Sequence, residues 1–284
     1  MSNTLGMEAR GKAVRAAEEL LARDTRRILL AARRKLQALL AEADVWEVST
    51  GRQIRRLDAI FGRADLVIRD TYRKLNELHR ARLGGLAADH GARVLKDLQA
   101  MVHGVVPGAP TLPIPTRATF RALATSTPVR GEVLYKWWDR QRRTTRERFR
   151  DEVRLGYLNG EQTPAIAKRV GTALGVSSRQ AEALSRTAVH AIANKAQAAT
   201  YWANRRICPA MQYFAVIDER TTELCYGLHL KTWRIDDPEA QWPPQHFNCR
   251  STTLPVLDYD ALGVPPPEAT PDVRPPVDNP RPPA

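Results

Sequence analysis

The side chains best suited to chemistry are crowded between Asp218 and Ser251, in the stretches DERTTELCYGLHLKTWRIDD and WPPQHFNCRS. Cys225, His229, His246 and Cys249 stand there as a C-x3-H and H-x2-C pair. Thiolate and imidazole donors at this spacing can close a tetrahedral Zn2+ site and lock two loops of a small domain. The same residues also fit a reduced or disulfide-paired Cys225 and Cys249 beside a hydrogen-bonded His246. A further reading is catalytic, with Cys225 or Cys249 as nucleophile and His246 as base, or a histidine and metal nuclease. Paired carboxylates, G-x-S-x-G, H-E-x-x-H and P-loop patterns are missing, so no complete enzymatic mechanism can be written and a non-enzyme is expected.

A second candidate is KWWDRQRRTTRERFRDEVR, where eight basic residues between Lys136 and Arg154 face four acidic ones. Lys136, Arg140, Arg142, Arg143, Arg146 and Arg150 could meet phosphates from a helix surface, with Trp137 or Trp138 stacking. The plainer alternative is an amphipathic helix with a buried tryptophan and a solvated basic face. Over 284 residues, 44 Lys and Arg against 31 Asp and Glu give a net charge of +13, which suits a polyanionic partner such as nucleic acid. No base-reading motif is present, so any such binding would be independent of sequence.

These residues need elements to carry them. From Ala9 to about Ala43, Val14, Ala17, Leu21, Ile28, Ala32, Leu36 and Leu39 recur at helical spacing, and Ile54, Leu57, Phe61, Ala64, Ile68, Leu75 and Leu78 repeat the pattern. Ser49, Thr50 and Gly51 break the two, so an antiparallel hairpin of long helices is expected, with a coiled coil to a partner as the alternative. Gly104 to Pro115, with four prolines and two glycines, reads as a linker. Helical character resumes from Arg130 to Leu158. Thr163 before Pro164 looks like a helix start running to about Leu174, and Ser177 with Gln180 fits a capping box opening a separate Ala-rich helix to about Arg206. Runs at Gln212–Ile217, Lys231–Ile235 and Ser251–Val256 read as a small antiparallel sheet packed on that helix. Cys208 is expected to be a small core residue. The last twenty-one residues hold nine prolines and are expected to be extended or disordered.

The fold class is thus mainly α, with a small C-terminal α+β domain. Its parts are a helical docking region at 1–103, a linker at 104–118, a basic helical region at 119–176, the small domain at 177–257 and a Pro-rich tail at 258–284. No apolar signal core and no run of eighteen apolar residues occurs, so neither a membrane nor secretion is expected.

From Arg186 to Val256 the order of features resembles the Mu F-like head morphogenesis, or minor head, proteins of tailed bacteriophages. It comprises Arg186-Thr187 before an Ala-rich helix with Asn194, then an aromatic strand ending in Asp218-x-Arg220-Thr221, then Cys225. Lys231-x-Trp233 with Asp236 and Asp237 follows, and then Pro243-Pro244-x-His246-x-Asn248-Cys249-Arg250. Thr222 and Ser251 stand where second cysteines would be, Leu230 replaces a usual glycine, and Ala188 an acidic residue. A four-cysteine zinc site is therefore excluded.

The resemblance implies a structural component of the head, in the virion interior or at the portal vertex after assembly in the host cytoplasm. Its partners would be the portal protein, the major capsid or scaffold protein and packaged double-stranded DNA. Arg220 and Arg250 could hold Asp218, Asp236 or Asp237 in bidentate pairs, or stand as solvated charge. Arg186 and Asn194, on one helix face with His190, could reach loop carbonyls of the sheet.

Overall fold

A computed structural model describes residues 2–42 and 50–266. Helix α1 (Ser2–Glu42) and helix α2 (Thr50–Val105) are followed by a short α3 (Arg117–Ser126), a two-residue-strand hairpin β1 (Pro128–Val129) and β2 (Glu132–Val133), then α4 (Leu134–Leu158) and α5 (Thr163–Ala203). The C-terminal part holds β3 (Ala210–Phe214), α6 (Glu223–Leu228), β4 (Thr232–Arg234) and β5 (Thr252–Val256).

Side-chain pairing fixes the helix directions. Arg10 pairs with Asp97, Arg82 with Asp24 and Arg63 with Glu42, so α1 and α2 run antiparallel within the chain, as the intramolecular hairpin requires. Gln37 Nε2 donates to the Ala167 carbonyl and Arg26 grips Glu182, so α5 is antiparallel to α1 as well. Tyr72 with Thr145 and Asp65 with Arg150 set α4 against α2 in the same sense. The apolar stripes of these four helices meet in one core that includes Leu21, Leu36, Phe61, Leu75, Trp138, Phe149, Leu184 and Ile192. Burial of that stripe is what makes helices from a sequence otherwise rich in Arg.

The expected break near Ser177 is absent, and α5 is one 41-residue helix. Its apolar stripe, Ile166, Val170, Leu174, Ala181, Leu184 and Ala188, passes through the site without losing phase, and packing outweighs the roughly 1 kcal/mol cost of Gly175. Ser177 is not a cap: its hydroxyl accepts from Arg148 across to α4, while Ser178 bonds back to the Leu174 carbonyl. The helix begins after Gln162, with Thr163 inside it and Pro164 in the first turn. At Gly171 a Cβ would lie 2.6 Å from Gln37 Nε2, so glycine there lets α1 close in.

Several expectations shift. The first helix starts at Ser2 and the fourth at Leu134; Thr50 and Gly51 belong to α2, while Ser49 lies outside the described residues. The Gly104–Pro115 stretch is tied down at several points. Gln99 Oε1 accepts from Leu112 N and Gln99 Nε2 donates to Pro110, while Asn204 Nδ2 donates to Pro113. Helix α3 and the β1–β2 hairpin carried no clear period. Helix α3 folds back on α2, where Phe120 occupies the space a side chain at Gly91 would need, and the hairpin lies against α5 and α4. In the hairpin turn Arg130 and Gly131 both take positive φ, the pattern of a two-residue primed turn.

The small sheet has the order β4-β3-β5, all antiparallel, with Tyr213 opposite Thr253 and Met211 opposite Trp233. Its first strand sits two residues earlier than the sequence indicates and ends at Phe214. The sheet rests on α5 through hydrogen bonds: Gln197 Nε2 to the Thr253 carbonyl at 2.6 Å, Tyr201 Oη to the same carbonyl, and Asn194 Nδ2 to the Ser251 carbonyl. Cys208 is fully buried with Val94, Leu98, Tyr201 and Met211. Of the Pro-rich tail, residues 258–266 form a turn whose Tyr259 and Leu262 pack on that second core, and residues 267–284 lie outside the described ones.

Candidate metal centre and basic helix

The loop after β3 is built on Asp218. Its backbone N–H donates to Thr221 Oγ1 at 2.8 Å, Thr221 Oγ1 donates to the Val216 carbonyl, and the Arg220 N–H returns to Asp218 Oδ1. Thr222 then caps α6, its hydroxyl accepting from the Cys225 N–H. This places Cys225 one turn into a six-residue helix, facing inward at 3% exposure.

Opposite it, Arg250 closes on Asp218 with two charge-assisted bonds of 2.6 and 2.5 Å. That clamp holds the Asp218 carboxyl well below the usual carboxylate range and raises the guanidinium. Asn248 adopts φ 58, a left-handed conformation that asparagine tolerates, and its N–H donates to Thr187 Oγ1 on α5. Between these two fixed points Cys249 is turned into the core.

The result is a cluster of three donors: Cys225 Sγ lies 3.7 Å from Cys249 Sγ and 3.2 Å from His246 Nε2, and all three atoms fall within 4.8 Å of one another. Tyr213 Oη lies 3.3 Å from Cys225 Sγ and 4.0 Å from Cys249 Sγ. The hydrogen bond between the sulfurs holds the Cys225 thiol well down, against burial, and the same bond with burial pushes the Cys249 thiol up.

His229 stands elsewhere. Its Nδ1 accepts from the Ala215 N–H at 3.1 Å and its ring packs edge-on against Phe214, with burial lowering its pKa. The C-x3-H spacing around a short helix turns the two side chains to different faces.

Among the other motif residues, Asn194 reaches a loop carbonyl, while Arg186 turns to Glu182 on its own helix and His190 contacts Glu18 on α1 at 3.0 Å. Arg220 contributes its backbone, and Asp236 pairs with Arg234. Sequence reasoning missed Tyr213 and Thr187 as neighbours of the cluster; the alternation that turns Tyr213 inward with Met211 was the available signal.

On α4, Trp138 is buried and Trp137 donates from Nε1 to the Val129 carbonyl. Arg140 lies over the Trp137 ring and pairs with Glu132, Arg142 and Arg143 share Asp139, and Arg150 pairs with Asp65 under Phe61. Arg146 is half-buried and Lys136 exposed. Part of the expected phosphate-facing charge is therefore neutralised within the protein. Trp137 also meets Phe247 edge-on at 5.9 Å, joining the basic helix to the loop of His246 along a cavity of about 450 Å³.

Among the described residues no helix is long and apolar enough to cross a membrane. No curated protein and no solved structure matches the chain. Residues 147–254, from the middle of α4 through most of β5, match the family model described as Phage Mu protein F like protein, a stretch that begins well before Arg186 and contains the whole cysteine and histidine cluster. Over those residues the chain thus carries a region similar to the Phage Mu protein F like family.

Proposed function

We propose that this chain is a minor head protein of a tailed bacteriophage, a structural component rather than an enzyme. It would sit at the portal vertex or in the head interior, act in head assembly and DNA packaging or delivery, and pass from the host cytoplasm into the virion. The observation that carries this reading is the Mu F-like match over residues 147–254. Two physical features support it. The α1, α2, α4 and α5 bundle offers long rigid faces to a portal, capsid or scaffold subunit. The net charge of +13 offsets phosphate crowding beside packaged double-stranded DNA, which would be touched without sequence readout.

The 3.2 Å approach of Cys225 to His246 favours a second reading as a cysteine hydrolase. The sulfur's burial, with Cys249 and Tyr213 against it, weighs against that reading, because a substrate carbonyl has no approach to it. Quantitative mass spectrometry of purified particles, with a pull-down of the tagged protein against portal and major capsid subunits, tests the proposal. A few to a dozen or so copies per particle with recovery of the portal at moderate salt is expected. Absence from particles, or recovery of nucleic acid alone, would overturn it.

A further inference from the structure

The geometry points to a zinc site held by Cys225, His246 and Cys249, without His229, whose fourth position faces solvent and is filled by water. For tetrahedral zinc, bond lengths of about 2.3 Å to sulfur and about 2.0 Å to nitrogen place two thiolates about 3.8 Å apart and a thiolate about 3.6 Å from an imidazole nitrogen. The separations here are 3.7 Å between the sulfurs and 3.2 Å from Cys225 to His246, each within a few tenths of an ångström of those values, and His246 Nε2 lies within 4.8 Å of the Cys249 sulfur. A disulfide needs a sulfur separation near 2.05 Å.

The ring of His246 is already set for the purpose. Its Nδ1 lies 2.8 Å from the Phe247 carbonyl and donates to it, which leaves the Nε2 lone pair pointing at the sulfurs. A ligating histidine is oriented in just this way, by a carbonyl on its other nitrogen. Cys225 on α6 and Cys249 in the loop before β5 come from segments that the Asp218–Arg250 pair clamps, so the donors are brought together by contacts that need no ion.

The fourth position follows from burial. Cys225 and Cys249 are closed off by the core, where the Tyr213 hydroxyl is placed to donate to sulfur, whereas His246 is only half-buried and opens one side to water. His229, the fourth donor suggested by spacing, is committed to the Ala215 N–H.

The test is metal analysis of the full-length chain purified without chelator, followed by cobalt exchange and zinc K-edge absorption. One zinc per chain is expected, with a first shell of two sulfurs, one nitrogen and one oxygen. The cobalt form should show sulfur-to-metal charge transfer and intense tetrahedral d–d bands that shift on adding azide. His229→Ala and Tyr213→Phe should keep both metal and oxygen, and His246→Ala should lose the metal. Should His246→Ala not fold, the wild-type spectra with His229→Ala still decide. A metal-free chain with no cobalt spectrum, or a Cys225–Cys249 disulfide in the freshly purified protein, overturns the site. Loss of metal in His229→Ala, or loss of the oxygen in Tyr213→Phe, overturns the assignment of the ligands.

Discussion

Arg250 grips Asp218 through two bonds of 2.6 and 2.5 Å, and the residue before that arginine, Cys249, lies 3.7 Å from Cys225 seven residues beyond that aspartate. The ion pair therefore helps hold the segments that carry the two sulfurs, with the Thr222 cap and the Asn248–Thr187 bond. Asp218 is 41% exposed on its side chain, so screening limits the pair to about 1 kcal/mol of stability. Arg250→Ala should cost about that much, and Arg250→Lys should not restore it, because a single ammonium cannot make the fork. The carboxyl is depressed in the folded chain, so its contribution is present above the unfolded carboxylate value and is lost as pH falls through the lower folded one. Chemical denaturation of wild type and Arg250→Ala at neutral and acidic pH would reveal the two curves converging in acid; a constant gap would refute the assignment.

Two histidines give a second pH dependence at higher pH. His79 bonds to Ser185 and the Leu75 carbonyl, His90 to Gln197, and burial pushes both down to about 4. Both are neutral in the folded chain but protonate near 6.5 once unfolded, so stability is full above about 6.5 and falls as pH drops toward 4, by of order 3 kcal/mol per histidine. His79→Gln should flatten part of that slope in denaturant titrations between pH 4 and 7. An unchanged slope would show that His79 is not the group responsible.

Leu230 holds φ 64 at the position where the resemblance expects glycine. A leucine in the left-handed region costs about 1 kcal/mol or more, and its side chain is 46% exposed, so little burial compensates. Leu230→Gly should leave stability unchanged or raise it by up to about 1 kcal/mol, allowing for the entropy of the unfolded glycine. A thermal melt showing clear destabilisation would mean the leucine packs against something that offsets the strain.

In the DNA contact proposed above, the basic residues of α4 should not contribute equally. Lys136 is exposed and Arg143 is 57% exposed with a loose 3.4 Å contact to Asp139, whereas Arg150 sits against Asp65 at 2.6 Å and under Phe61. Lys136→Ala and Arg143→Ala should each lower the salt slope of affinity for duplex DNA by about 1, uniformly across sequences. Arg150→Ala should act chiefly on stability. An equal loss from all three in fluorescence titration would mean the intramolecular pairs open on binding.

The helical half of this architecture was legible because its stripes are long and periodic: Leu21, Leu36, Leu75 and Leu184 are all buried where the 3.6-residue pattern puts them. What misled was local punctuation. Gly175 and the Ser177 pair have the residue types of a helix boundary, yet Arg148 takes the Ser177 hydroxyl and tertiary packing carries α5 straight through. The strands were legible to within three residues because β-branched and aromatic runs are short and bounded. In the site, spacing identified Cys225, His246 and Cys249 but could not say that His229 points away, because that depends on how α6 is capped and turned.

The uninterrupted α5 has a consequence for modularity. The stretch 147–254 that matches the family model includes all of α5, but Leu184, Ala188 and Ile192 on that helix are covered by α1 and α2, which lie outside it. Excised by itself, the stretch would expose a seam of Leu, Ile and Ala along a rod about 60 Å long. The region that is similar to the family and the unit that folds are different lengths of chain, so transplanting the former into a relative would succeed only if the two N-terminal helices travel with it.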